Sequence, residues 1–426
     1  MKNFALSYAV LVAAVLGLVS CNGSVNIKKP PSGVTTRVLA SQSASSPTAF
    51  AGLVLVNGWI DALARGGINA GTSPGLMAIS PNRSTLLSFD QLTNRVDVVN
   101  TAKESMTGTI QLAGPTTSMA VPLPQLGYAA VPATPFVGSA PGAVVDMNLT
   151  TGAITATISV PNVQTIVSNS TGTQLLAFSS DSNSVTVVSP GFLNTGTPVT
   201  VTVPGFDRPV YGFFTGSNVY ILNCGAECGG TQASVQVLNF ATNPPTAGAV
   251  LPVDGATIGF SSGSTLYVAG NSPTNSACGQ TTAAKTCGRL DLVDLGSMTV
   301  TGSAVITDGY HDRIDMGLNG QLFIGSHTCT NIGNVNNPQG EVRGCLSIYN
   351  TLNGSVVIPP DNGDVTGLQS FSTRDVEYVV EGGNLRVYDT LIDSLLLDNI
   401  NDPNIPETGT IIITGYIIDV KAIDFF

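Results

Sequence analysis

Residues 96–100 read VDVVN, a short run of mostly apolar residues that ends on asparagine. The same signal recurs along the chain. It appears as LVLVN ending at Asn57, VVDMN at Asn148, SVQVLN at Asn239, LDLVD at Asp294, LSIYN at Asn350 and LRVYD at Asp389. SVTVVS, ending at Ser189, fills the one gap. Such runs suit half-buried β-strands. Asn or Asp at the end can bond nearby backbone and tolerate left-handed geometry, so the recurring residue reads as a turn device. The steps between successive ends are 43, 48, 41, 50, 55, 56 and 39 residues. That spacing suits a four-stranded propeller blade.

Each unit divides the same way. Around residues 210–253 the order is VYGFF, the turn TGS, NVYILN, a cysteine loop, SVQVLNF and AGAVLPV, which we label strands a, b, c and d. The a–b turns repeat as PNRS, STGT, TGS, SSGS and NG, all hairpin chemistry. The expected fold is therefore all-β: a β-propeller of about eight four-stranded blades, with seven as the alternative. The first unit lacks a strand a, and the chain ends in the unpartnered apolar strand YIIDVKAIDFF. Ring closure, with the C-terminal strand completing the N-terminal blade, hides both edges. WIDALARGG at 59–67 is the only helix-like stretch after the N-terminal segment.

The chain begins MKNFALSYAVLVAAVLGLVSCNGS, with a cation at Lys2 and an apolar run to Val19. That is the layout of a secretory signal. Leu18-Val19-Ser20-Cys21 resembles a bacterial lipobox, which implies cleavage before a lipidated Cys21. The expected organisation is a lipoprotein signal peptide at 1–20, a lipid anchor and flexible tether at 21–34, and the propeller at 35–426. Asn22, where an aspartate would signal inner-membrane retention in the families this resembles, points to the outer membrane, facing periplasm or surface. The formal net charge is −11 and charged residues make up only 10%, which disfavours nucleic acid as a partner.

The blades resemble the YVTN-type β-propeller family of bacterial surface and periplasmic proteins. The family's Tyr-Val-Thr-Asn string survives only in degraded forms such as TLYVAGN at 265–271. The likeness covers nearly the whole of 35–426. The family shares no single activity, so the resemblance implies binding or scaffolding by analogy.

Motifs for chemistry are sparse. Gly259-Phe260-Ser261-Ser262-Gly263 matches G-x-S-x-G, but a strand follows where a nucleophile elbow needs a helix, so its glycines serve a hairpin. The chain has two histidines, His311 and His327, both in blade seven. His311 precedes strand a and His327 ends strand b, so the two could meet on one face, with Asp312 or Asp315 completing a metal site. Surface or loop histidines bonded to backbone are the commoner arrangement. Asp207-Arg208 and Asp312-Arg313 occupy matching positions in blades five and seven. With His311 they form a candidate binding rim, or else two local ion pairs. Asn82-Arg83-Ser84 and Asn148-Leu149-Thr150 match a glycosylation sequon and read as turn chemistry.

Besides Cys21, six cysteines fall as three neighbouring pairs: Cys224/Cys228, Cys278/Cys287 and Cys329/Cys345. In an exported chain this suggests disulfides. All three pairs map to b–c loops of blades five to seven. One sector of one face would then carry stapled loops, the usual place for recognition on a rigid scaffold. The expected function is a non-catalytic binding or scaffold lipoprotein of the cell envelope. It would be a monomer without cofactor, recognising a protein or glycan. The alternative is a lactonase-like or metal-assisted hydrolase at the propeller mouth.

Overall fold

The computed structural model describes residues 30–43, 52–133, 140–191, 197–216, 218–272, 287–329, 344–359, 363–396 and 409–423. Cys21, Cys278 and the signal segment lie outside them. The fold is an all-β propeller of eight antiparallel blades. Blade one comprises Tyr416–Ala422, Arg37–Ser43, Leu53–Asn57 and Ala62–Ile68, in that spatial order. The C-terminal strand is thus strand a of the N-terminal blade, with Val38 opposite Ala422 and Ala40 opposite Val420. In blade eight, strand c (Asn384–Asp389) pairs with two short outer pieces, Ser394–Leu395 and Thr410–Ile411.

The turn device works as the sequence suggests. The side-chain oxygens of Asn57, Asn100, Asn148, Asn239, Asp294, Asn350 and Asp389 each accept a backbone N–H two or three residues on, at 2.7 to 3.0 Å. Four residues after the polar residue the chain turns left-handed, at Asp61, Glu104, Gly152, Met298, Gly354 and Asp393. The hairpins also hold. Gly263 has φ +59° between strands Ile258–Ser262 and Thr265–Ser272. Asn82 accepts from the amide and hydroxyl of Ser84, so both sequon asparagines serve turns.

The core lies between neighbouring sheets. At the closing seam Val38, Ala40, Ile417 and Val420 of blade one pack with Tyr378, Val380 and Val387 of blade eight. Polar clamps flank this blade. Arg374 forms a bidentate pair with Asp61, at 2.7 and 2.8 Å, and the Tyr378 hydroxyl donates to the same carboxylate. On the other side the fully buried Arg37 reaches Glu104 at 2.7 Å and the Thr101 carbonyl at 2.8 Å. Glu104 also accepts from the amide and hydroxyl of Ser32, so the segment composition assigns to the tether is docked three residues before position 35.

The expected helix is corrected. Ala62–Ile68 is strand d of blade one, paired with Leu53–Asn57. Asp61 turns left-handed and is pinned by Arg374, 313 residues away in sequence. A long-range ion pair and an available sheet edge override the local pattern.

Several carboxyls are buried along the inner strands. Asp146 in strand c of blade three is fully buried, and the Thr155 hydroxyl only partly offsets that burial. Burial pushes its pKa up to about 6. The folded state therefore holds this proton where the unfolded chain has released it. Stability contributed by the protonated form is full at low pH and is lost as pH rises through about 6. Asp146→Asn is expected to raise stability on the order of 2 kcal/mol at pH 8 and little at pH 4. Denaturant unfolding of both proteins across that range checks it.

Candidate functional site

The described strand ends on the b–c and d–a side of blades five to eight share one end of the propeller. In blade five, Cys224 and Cys228 form a disulfide around the short 3-10 turn Gly225–Cys228. Gly225 has φ +59°, and a Cβ there would lie 2.2 Å from the Gln232 backbone, so only glycine fits. Asp207 braces the same loop. Its carboxylate accepts from the Thr231 amide and hydroxyl at 2.9 and 2.5 Å and from the Gln232 amide at 2.7 Å. Burial raises the Asp207 pKa, but these donors outweigh it and hold the acid below its ordinary range. Arg208 stands at φ +57°, 3.4 Å from the exposed Asp181.

A polar bridge runs sideways from this loop. Glu227 accepts the Asn271 amide at 2.8 Å and its side-chain N–H at 3.0 Å. The same Asn271 nitrogen donates to the Gly309 carbonyl of blade seven at 2.7 Å. Burial pushes Glu227 up to about 6, against the lowering effect of Asn271. Three successive blades are thereby tied together at their loops.

In blade seven, His311 lies within strand a (Tyr310–Met316), one residue further in than the sequence suggests. It is fully buried, and Nε2 meets the Thr307 carbonyl at 2.9 Å. Burial drops its pKa to about 4, so the ring is neutral. His311 pairs with Ser326 and Tyr310 with His327. Adjacent residues point to opposite faces of a strand, so the two imidazoles do not converge. His327 instead contacts Asp312 at 2.8 Å, and its Nδ1 lies 4.0 Å from Asp364. Asp315 accepts from the Met316 and Ser370 amides in the seam to blade eight. Among the described residues no three His, Cys, Asp or Glu side chains are grouped to hold a metal ion. Cys329 and Cys345 form the second described disulfide, at the blade-seven b–c loop. Cys287 begins strand c of blade six, while its expected partner lies outside the described residues.

The sequence pattern sets Asp312 and Arg313 at the rim without revealing what they face. Both line a cavity of about 410 Å³ in the central channel, together with Tyr211, Phe213, Phe260, Leu368 and Lys421. These come from the innermost strands of five blades, far apart in sequence. The one local signal is the clustering of aromatics in VYGFF and GFSS.

No protein-family model and no curated protein matches the sequence. Solved structures share the fold. Dihydro-heme d1 dehydrogenase NirN in complex with DHE aligns with a TM-score of 0.56 at 10% identity, over 93% of this chain and 79% of that one. The computationally designed Ika8 protein aligns at 0.51 and 10% identity, over 76% and 86%. Hydrazine synthase of Kuenenia stuttgartiensis gives 0.47 at 15% identity, over 74% and 76%. At these identities the likeness concerns the fold alone.

Asn271→Ala removes the Glu227–Gly309 bridge without touching a core strand contact. Hydrogen exchange in residues 224–233 should rise severalfold while global unfolding shifts by about 2 kcal/mol, the scale of lost hydrogen bonds to a partly buried charged group. An unchanged exchange pattern in that loop would show that the bridge does not order it.

Proposed function

We propose that the chain is a non-catalytic binding or scaffold lipoprotein of the bacterial cell envelope, of the YVTN-like propeller type. It is anchored at Cys21 in the outer membrane and recognises a protein or glycan through the loop face of blades five to eight. One observation carries the reading: stapled loops in blades five and seven stand at one end of the barrel, joined through Glu227, Asn271 and Gly309. By the chain-entropy account, closing the four-residue and sixteen-residue separations restricts the unfolded chain by roughly 2 and 3 kcal/mol. A loop held in one arrangement, as residues 224–232 are by their disulfide and Asp207, loses less entropy when a partner docks. Asp207 and Arg208 supply polar groups along that rim.

A metal-assisted hydrolase at the mouth is the second reading. His327, bonded to Asp312 at 2.8 Å and with Nδ1 4.0 Å from Asp364, is the residue on which that reading rests. Stoichiometric zinc in the purified domain, lost on His327→Ala, would decide for it.

The binding reading is tested in intact cells by photo-cross-linking residues placed at Thr231 and Thr328, and at Lys103 and Thr150 on the opposite end. A discrete cross-linked partner at the first two sites only is expected. Equal capture at both ends, or none, counts against the loop face. Cys21→Ser should move the protein from the membrane fraction to the soluble one.

A further inference from the structure

We propose that the central channel, where it passes blades five to eight and the closing strand, binds a small carboxylate with a planar apolar body of one or two rings. This site is separate from the loop face and takes a different class of ligand. Its volume of about 410 Å³ falls within the range of small-molecule pockets. One wall is aromatic. Tyr211 and Phe213 stand edge to face with centroids 5.3 Å apart, and Phe260 of the next blade lines the same space. Such rings favour a flat apolar partner, by area and by quadrupole.

The polar side of the cavity holds several unused donors. Arg313 is fixed by three hydrogen bonds: Nε donates to the Thr366 carbonyl at 2.7 Å, and Nη1 to the carbonyl and carboxylate of Asp312 at 3.0 and 2.9 Å. Its Nη2 takes no partner among the described residues. Lys421 donates one N–H to Asp419 at 2.9 Å, and an ammonium carries three. The acids are largely engaged, one oxygen of Asp312 excepted. Asp312 accepts from Arg313 and His327, while Asp419 accepts from Met77, Val420 and Lys421. The Tyr211 hydroxyl is likewise without a partner among the described residues. In a chain with 27 acidic and 16 basic residues, two cations and one already-bonded carboxylate line this cavity. An incoming carboxylate accepts from these donors, and a planar guanidinium suits it.

The probe is 2-naphthoate, titrated into the full mature chain and followed by its own fluorescence. 2-Naphthalenemethanol serves as the neutral ring, and acetate as the anion without a ring. Saturable one-site binding of 2-naphthoate is expected, with the alcohol weaker by about tenfold or more and acetate undetectable. Lys421→Met, which keeps the aliphatic stem, should weaken naphthoate by about tenfold and leave the alcohol unchanged. Phe260→Leu should weaken both. Equal affinity for naphthoate and the alcohol, no saturable binding at millimolar probe, or a Lys421→Met protein that binds as before overturns the site. If either variant melts early, the contrast between the two ring probes on the unmodified chain decides alone.

Discussion

The pairing of Arg37–Ser43 with Tyr416–Ala422 is the constraint on which the rest depends. Each blade of a propeller touches only its neighbours, so an open arc of eight leaves two apolar faces and two sheet edges bare. Joining strands nearly the whole chain apart adds a loop-closure cost that grows only with the logarithm of length, about 5 kcal/mol for a flexible chain of this size. The hydrogen-bond ladder and the full burial of Ile417, Val420 and Ile423 oppose that cost. Blade one is then held on both sides by charge: Asp61 to Arg374 of blade eight, Arg37 to Glu104 of blade two. Arg83 adds a bond to the carbonyl of Ala422. These clamps sit at the a–b and c–d turns, so the ring is locked at the end away from the stapled loops.

The outer rim needs a different solution, because strand d of every blade is an edge. Bulges interrupt the c–d pairing in blades two, three and six. At each, a threonine hydroxyl donates to a strand-c carbonyl: Thr107 to Val98, Thr155 to Asp146, Thr301 to Leu292. A bulged, hydroxyl-bearing edge twists away from flat pairing with another chain. The same repeat thus supplies both the blade and its protection against edge-to-edge association.

What the sequence revealed follows from how local each signal is. The c–d turn is legible because Asn148 or Asp389 bonds amides two or three residues away, and the spacing of such turns counts the blades. Closure is legible because the first unit lacks a strand and the last strand has no unit of its own. Cys224–Cys228 and Cys329–Cys345 are legible because each pair spans one loop. WIDALARGG was misread because its strand state depends on Arg374, which no window around residue 61 contains. The histidines were placed in the right blade and loop end, yet their directions depend on a one-residue register. A shift between His311 and Arg313 lets Asp312, Arg313 and Ile314 all reach the channel while His311 turns into the core. Nothing in GYHDRID marks that irregularity.

The channel was illegible for a related reason. Each strand a contributes one to four lining residues, and their meaning arises only when five blades bring them together. Tyr211 and Phe213 alternate as any half-buried strand would. Lys421 reads as a polar position on the closing strand until Asp419 and the opposite aromatic wall are seen beside it. Because closure places that strand, the positive side of the cavity exists only in the completed ring. Stability and the channel are therefore coupled through Tyr416–Ala422, whereas the stapled loops, tied to one another by Glu227 and Asn271, are free to vary without loosening the seam.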